Sequence, residues 1–170
     1  MKRNDEGREQ VLDWLRDAHA MEAQAETMLE AMASRLKNYP ELESRIREHI
    51  DQTRSQAARV RTCIERLGGD TSTLKDAAGK FMATMQGFSG AMASDEVVKG
   101  CMFSYAFENM EVAAYRILIV AARQVGEPDI AAVCSDILEE EIAMARWLEE
   151  HLESVVGRFL GSGVQDGPKR

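Results

Sequence analysis

The sequence predicts an all-α protein, a bundle of four long helices. Two observations support this expectation. Apolar residues recur at intervals of three and four in four separate stretches, which is the period of an amphipathic helix. Good helix formers such as Ala, Leu, Glu and Arg are frequent, whereas the 170-residue chain contains only 3 prolines. No strand is predicted.

The first helix is expected over residues 6–38 and the second over residues 41–67. The apolar face of the first helix consists of Val11, Trp14, Leu15, Ala18, Ala25, Leu29, Met32 and Leu36. Asn38-Tyr39-Pro40 separates the two helices, because proline suits the first turn of a helix but not its interior. Gly68-Gly69-Asp70 ends the second helix, since glycine is favoured just after a helix C-terminus.

Residues 68–93 are expected to form a long crossover that contains one or two short helices. Apolar positions such as Leu74 and Phe81 are separated by glycines, which weaken a continuous helix. Ser94-Asp95-Glu96 is typical of a helix N-terminus, because a capping residue precedes acids in the first turn. The third helix is therefore expected over residues 94–124.

Gly126-Glu127-Pro128 interrupts the pattern again, and the fourth helix is expected over residues 129–156. The two short connections make each pair of helices an antiparallel hairpin, and the long crossover joins the hairpins. This arrangement is the ferritin-like connectivity of four-helix bundles. One domain is expected over residues 1–160, and the polar, Gly-rich tail over residues 161–170 is expected to be disordered.

The composition argues against several classes of partner. A net charge of -8 leaves no basic face for nucleic acid or for an anionic membrane surface. No apolar run reaches the length of a membrane span without a charge, and the N-terminus lacks the apolar core of a signal peptide. The 3 cysteines have no CxxC spacing and suit a reducing compartment. A cytoplasmic protein is therefore expected.

Acidic residues lie on apolar helix faces, where burial of a charge is costly. The stretch Cys101–Ala122 is apolar almost all the way round a helix, yet it carries Glu108 and Glu111 on one face. Each of the other three helices also has polar residues on its apolar face near its midpoint: Glu22, His49 with Gln52, and Glu141. In a bundle, these residues are expected to meet at one level of the core.

Four carboxylates in a low-dielectric core repel one another, and a divalent or trivalent cation removes that repulsion. An oxygen-rich site with one imidazole suits iron or manganese, whereas zinc usually has more nitrogen or sulfur ligands. The expected metal ligands are Glu22, His49, Gln52, Glu108, Glu111 and Glu141. The expected cofactor is iron, in a mononuclear or di-iron site, with manganese or zinc as substitutes.

Four segments of the chain resemble those of a known family: DAHAMEAQAETML, HIDQTRSQ, FENMEVAAY and LEEEIAMARWLEE. The family is the YciE/YciF-type ferritin-like proteins, a bacterial stress-associated group of four-helix bundles. The resemblance covers about residues 8–158. It implies that the four glutamates named above are inward-facing carboxylates and that the protein forms a homodimer. It assigns no firm reaction.

Two positions depart from the related patterns. The family typically carries a glutamate where this chain has Gln52, so one charge is missing at an expected ligand. Di-iron carboxylate proteins place a histidine three residues after a glutamate on two helices, but Met144 stands three residues after Glu141 here. Both departures lower the expected metal affinity. Iron binding and the reduction of peroxide or oxygen are the expected activities, and whether the chain is an enzyme stays open.

The alternative is a non-catalytic bundle that serves a structural or assembly role and retains a degraded metal site. In that case, the two acids of the third helix pair with Arg116 or Arg123 of a neighbouring copy. The acids of the first and fourth helices then bond to Tyr105 or Tyr115. A hydrolase is not expected, because no Ser or Cys nucleophile is paired with a helical His and an acid.

Overall fold

A computed structural model describes residues 2–70 and 95–163, and these residues form four long helices. The helices are α1 (Lys2–Ala33), α2 (Pro40–Arg66), α3 (Glu96–Gln124) and α4 (Pro128–Gly163). No strand occurs within the two described ranges. The predicted all-α four-helix bundle is therefore confirmed. The short helices predicted for the crossover fall on residues 71–93, which lie outside the described residues.

Three helix ends lie four or more residues from the predicted ones, and the first of them is the start of α1, at Lys2 rather than near residue 6. The first helix ends at Ala33 rather than near Asn38, because the next amides bond to carbonyls only three residues back. The amide of Arg35 donates to Met32 over 3.0 Å, and that of Tyr39 donates to Leu36 over 2.7 Å. Such bonds tighten the chain into turns before α2 begins. The fourth helix continues to Gly163, beyond the predicted end at residue 156.

Neighbouring helices run antiparallel. One apolar cluster joins the first half of α1 to the end of α2, the second half of α3 and the start of α4. A second cluster joins the end of α1 to the start of α2, the start of α3 and the second half of α4. Contacts form between α1 and α2, α3 and α4, α1 and α3, and α2 and α4. The two helices of each diagonal pair are therefore parallel.

The ends of the long connection lie at opposite ends of the bundle. Gly69 packs so closely on α1 that an added Cβ atom would lie 2.5 Å from Leu12 Cδ1. At the other end, Arg35 after α1 forms an ion pair with Glu96 at the start of α3. The described residues that flank the predicted crossover therefore lie at opposite ends of the bundle. Gly68 and Gly126, with φ of 78° and 79°, follow α2 and α3 in the left-handed conformation that favours glycine.

The described helices also bear on the predictions about membranes and cysteines. None of these helices is long and apolar enough to cross a membrane. Cys63, Cys101 and Cys134 are buried and free. Burial raises the pKa of the Cys101 thiol to about 11 and that of Cys134 to about 12. These thiols are therefore protonated and unreactive near neutral pH, as expected for core cysteines.

Candidate metal centre

A layer of buried polar side chains separates the two apolar clusters. Its members are at most 1% exposed, and every helix contributes at least one: Glu22, His49, Thr53, Gln56, Glu108, Glu111 and Glu141. The helical period explains this layer, because each of these residues continues the apolar face of its own helix. The four predicted glutamates and His49 thus meet at one level of the core.

His49 is the centre of the hydrogen bonding in this layer. Its Nε2 atom lies 3.1 Å from Glu108 Oε2 and 3.7 Å from Glu141 Oε2. Its Nδ1 atom lies 3.0 Å from Gln52 Oε1. Burial by itself lowers the pKa of His49, but the hydrogen bond to Glu108 and the negative charge of Glu108 raise it above the ordinary value. The imidazole therefore favours its cationic form between these partners when no metal is bound.

The other carboxyl groups favour their neutral form. Burial, followed by the charge of Glu108, raises the pKa of Glu141 to about 11. Burial, with the nearby charges of Glu22 and Glu141, also raises the pKa of Glu111 well above its ordinary value. Because several acids share one dry space, they hold protons at neutral pH unless another positive charge arrives.

Glu22 has a partner of its own. The Tyr115 hydroxyl donates a short hydrogen bond to Glu22 Oε1, and both side chains are buried. Burial raises the pKa of Glu22 to about 8, although the bond from Tyr115 opposes the rise. The pairing of Glu22 with Tyr115 was one of the predicted alternatives.

Several oxygen atoms of the layer have no hydrogen-bond donor among the residues that the structure describes. Those that belong to carboxyl groups are Oε1 of Glu111 and both oxygens of Glu141. Buried polar atoms in folded proteins nearly always have a partner, which can be a protein group, water or an ion. A proton shared between two carboxyl groups would satisfy some of these atoms, and a cation would satisfy all of them.

Three side chains are placed to hold a cation together. His49, Glu108 and Glu141 each offer one ligating atom, and these atoms lie within 4.8 Å of one another. Metal ions that bind nitrogen and oxygen at about 2.0–2.2 Å hold opposite ligands about 4.4 Å apart. Side-chain movements of a few tenths of an ångström would therefore close the cluster around an ion. The residues present fit a metal that prefers oxygen ligands with one imidazole.

The predicted pairing of the α3 acids with arginines of a neighbouring copy does not fit this geometry. Glu108 and Glu111 are each 1% exposed within a single chain, because they face the interior of the bundle. Arg116 and Arg123 are exposed on α3. The charge that neutralises these acids must therefore come from inside the bundle.

Comparison with known proteins places this fold in a family. A family model described as "Domain of unknown function (DUF892)" matches residues 7–161. The chain belongs to the DUF892 family. It is also similar to a protein of Xanthomonas campestris pv. campestris whose crystal structure is known. The two are 46% identical over 93% of this chain and 98% of that one, with a TM-score of 0.80.

Gln52 of this DUF892 chain lies at the edge of the cluster. It is half-buried, and its contact is with the Nδ1 side of His49, away from Glu108 and Glu141. Side chains three residues apart on a helix are neighbours on its surface, so Gln52 contacts His49 on the same helix. The position of Gln52 therefore suits a residue that orients the imidazole. The other five predicted ligands lie at the centre of the buried layer.

Three polar residues beside the cluster of this DUF892 chain were not among the expected metal ligands. Gln56 is 0% exposed, and its Nε2 atom donates to Glu140 Oε2 over 2.8 Å. Thr53 is buried between His49 and Gln56 on the same face of α2. Glu140, which precedes the expected ligand Glu141 on α4, accepts this bond from Gln56. The spacing of 49, 53 and 56 at four and three was the available signal.

Proposed function

We propose that this protein binds iron or manganese in its core, as a ferritin-like carboxylate centre of the YciE/YciF type. The observation that carries the proposal is the closeness of the ligating atoms of His49, Glu108 and Glu141, all within 4.8 Å. The buried oxygens of Glu111 and Glu141 that lack donors in the described ranges support it. A cation supplies the positive charge that these atoms lack.

The contacts of His49 suit a metal ligand. Gln52 Oε1 accepts from Nδ1–H, so a metal that displaces the Nε2 proton would meet the Nε2 lone pair on the side of Glu108 and Glu141. A metal-bound histidine usually donates its other N–H to a neighbouring acceptor, which fixes the ring and its tautomer. Gln52 performs this task within α2, so its loss should weaken the site without removing a ligand.

Glu22 and Glu111 extend the donor set to four carboxylates, enough to hold two cations. Two ferrous ions held there would supply the two electrons that, with two protons from solvent, convert hydrogen peroxide into two water molecules. The chain itself contributes a buried polar layer between two apolar clusters, and Tyr115 donates a hydrogen bond to Glu22. Iron binding with peroxide or oxygen reduction in a bacterial stress response is the activity that this arrangement supports best.

The proposal is tested by titrating chelator-treated protein with ferrous iron without oxygen and measuring bound iron. We expect about two irons per chain, and a new near-ultraviolet absorption after peroxide is added. The double variant Glu108→Gln/Glu111→Gln should lose this iron. The matched control is Glu139→Gln, which removes a charge from an exposed position beside the centre. Clearly sub-stoichiometric iron and manganese that added metal cannot raise would contradict the proposal.

Proton release gives an independent measure of the same site. The raised pKa values of His49, Glu111 and Glu141 mean that metal must displace protons at neutral pH. Apparent metal affinity should therefore rise with pH from 6 to 8, and calorimetry in two buffers of different ionisation enthalpy should report the protons. Metal that adheres to the acidic surface would release few protons and leave the affinity almost independent of pH.

A second candidate function is assembly through the outer face of α3. Met102, Ile117 and Val120 are 53%, 55% and 60% exposed on this face. Ala106 and Ala113 are also exposed between them, which lets another helix approach closely. Exposed apolar patches of this kind mark interaction sites more often than chance surface. We propose a second copy of the chain as the partner, in a homodimer that pairs the two α3 faces.

Sedimentation measurements on the wild type and on an Ile117→Lys/Val120→Lys variant test this pairing. The wild type should sediment as a dimer and the variant as a monomer with unchanged helix content. An equally monomeric wild type would exclude the homodimer. A variant that remains dimeric would place the interface elsewhere. Loss of metal in the monomeric variant would link the two candidate functions, whereas unchanged metal content would separate them.

A further inference from the structure

Polar side chains extend from the metal centre to the surface between α2 and α4. Gln56 is fully buried and donates through Nε2 to Glu140 Oε2 over 2.8 Å. The same Glu140 oxygen accepts from Arg59 Nη2 at 2.5 Å. The side chains of Arg59 and Glu140 are 30% and 31% exposed. Gln56 thus connects a carboxylate that solvent reaches with the interior of the bundle.

Near the centre, two polar side chains of α2 have unsatisfied hydrogen-bonding atoms within the described residues. Gln56 Oε1 and Thr53 Oγ1 are buried and have no hydrogen-bond partner among the described residues. Both residues lie on the face of α2 that carries His49, one and two helical turns from it. Buried polar atoms without a protein partner are usually satisfied by water or an ion. Gln56 Oε1 and Thr53 Oγ1, together with the oxygens of Glu111 and Glu141 that lack donors in the described ranges, make a polar path to the centre.

On the α1 and α3 sides, described residues beside the centre are apolar. Met21 and Phe107, next to Glu22 and Glu108 in sequence, are buried apolar residues of α1 and α3. Val112 follows Glu111 and is also buried. A hydrated cation could cross these walls only by losing water without gaining ligands, which is costly. The seam between α2 and α4, formed by Glu140, Gln56 and Thr53, instead places side-chain oxygen atoms from the surface to the buried layer.

We propose that divalent cations enter the metal centre through this seam, with Glu140 as their first ligand and the Gln56 and Thr53 side-chain oxygens as the next. This inference rests on the proposed function, because it describes how the same centre is filled. Arg59 occupies the Glu140 carboxylate until an incoming cation replaces it. The neutral oxygens of Gln56 and Thr53 bind a cation weakly, so the ion passes on to the carboxylates.

The test measures the rate of cobalt binding to full-length, chelator-treated protein by stopped-flow absorbance. Glu140→Gln should slow loading about threefold to tenfold, since a charge at the entrance steers the ion. Arg59→Gln should accelerate loading, because it removes the competing cation. The matched controls are Glu139→Gln and Arg61→Gln, which change the same charges at exposed neighbouring positions. The final cobalt content should be the same in all four variants.

Equal loading rates in Glu140→Gln and Glu139→Gln would overturn the entry route. So would slower loading in Arg59→Gln, since that result would mean that the ion pair only supports the fold. Gln56→Leu provides a further arm, in which an apolar side chain of similar size should slow loading without lowering the final cobalt content. Wild-type protein that takes up no cobalt at equilibrium would instead refute the proposed function, and the entry route with it.

Discussion

Replacing Glu141 by glutamine should stabilise the metal-free protein. Glu141 is 0% exposed, and both of its carboxyl oxygens lack a donor within the described residues. The folded chain holds its proton up to a pKa of about 11, whereas the unfolded chain releases it near the ordinary value of 4.5. A glutamine has nearly the same shape, needs no proton, and can donate its amide N–H to the neighbouring carboxylate of Glu108.

The magnitude follows from proton linkage. Between pH 4.5 and about 11, the unfolded state binds fewer protons than the folded state, so the free energy of unfolding falls as pH rises. Each pH unit corresponds to about 1.36 kcal/mol for one group. The interval of about 2.5 units up to pH 7 gives Glu141→Gln a gain of at most about 3 kcal/mol, and the gain should vanish near pH 4.5.

Urea denaturation followed by circular dichroism, with chelator present, measures this gain from pH 4.5 to 8. Glu139→Gln is the control, and as an exposed substitution it should change the free energy of unfolding by less than about 0.5 kcal/mol. Saturating metal should reverse the order, because only a protein with an intact site gains stability from binding. A Glu141→Gln variant that is less stable than wild type across this pH range, in chelator, would refute the reasoning.

Three further predictions concern single side chains of the core. Tyr115→Phe removes the donor to Glu22, and it should lower the free energy of unfolding by about 1–3 kcal/mol in urea denaturation with chelator. Met144→His places an imidazole three residues after Glu141, and competition with a chromogenic chelator should report tighter cobalt binding. Cys134 should react with a thiol reagent only at the rate of unfolding, because burial keeps it protonated and inaccessible.

The helices and the level of the site could be predicted because both depend on periodicity within a helix. An acid such as Glu22 or Glu141 interrupts the apolar period of its helix, so it can be recognised from the sequence alone. Gln56 could not be identified with the same certainty, because an uncharged amide on a helix face is compatible with solvent. Its importance depends on Glu140, which belongs to a different helix and approaches only in the folded bundle.

Other details depend on geometry that a periodic pattern does not contain. The end of α1 at Ala33 follows from the tight turns after it, and no strong helix-breaking residue marks that position. Gln52 has the spacing of a ligand, but the direction of its side chain brings it to the far side of the imidazole. The spacing therefore locates a residue near the centre, while its contact determines whether it holds a metal or orients a ligand.

The single imidazole of the centre implies that two bound cations would be held unequally. His49 comes from α2, and the other three helices supply only carboxylates to the centre. Met144 occupies the position on α4 where di-iron proteins carry a second histidine. The ion beside His49 gains a nitrogen ligand and the charge of Glu108. An ion beside Glu22 and Glu111 has oxygen ligands alone, and metal at either position must displace protons. The His49 position should therefore fill first, and a titration with two separate phases is the expected consequence of this asymmetry.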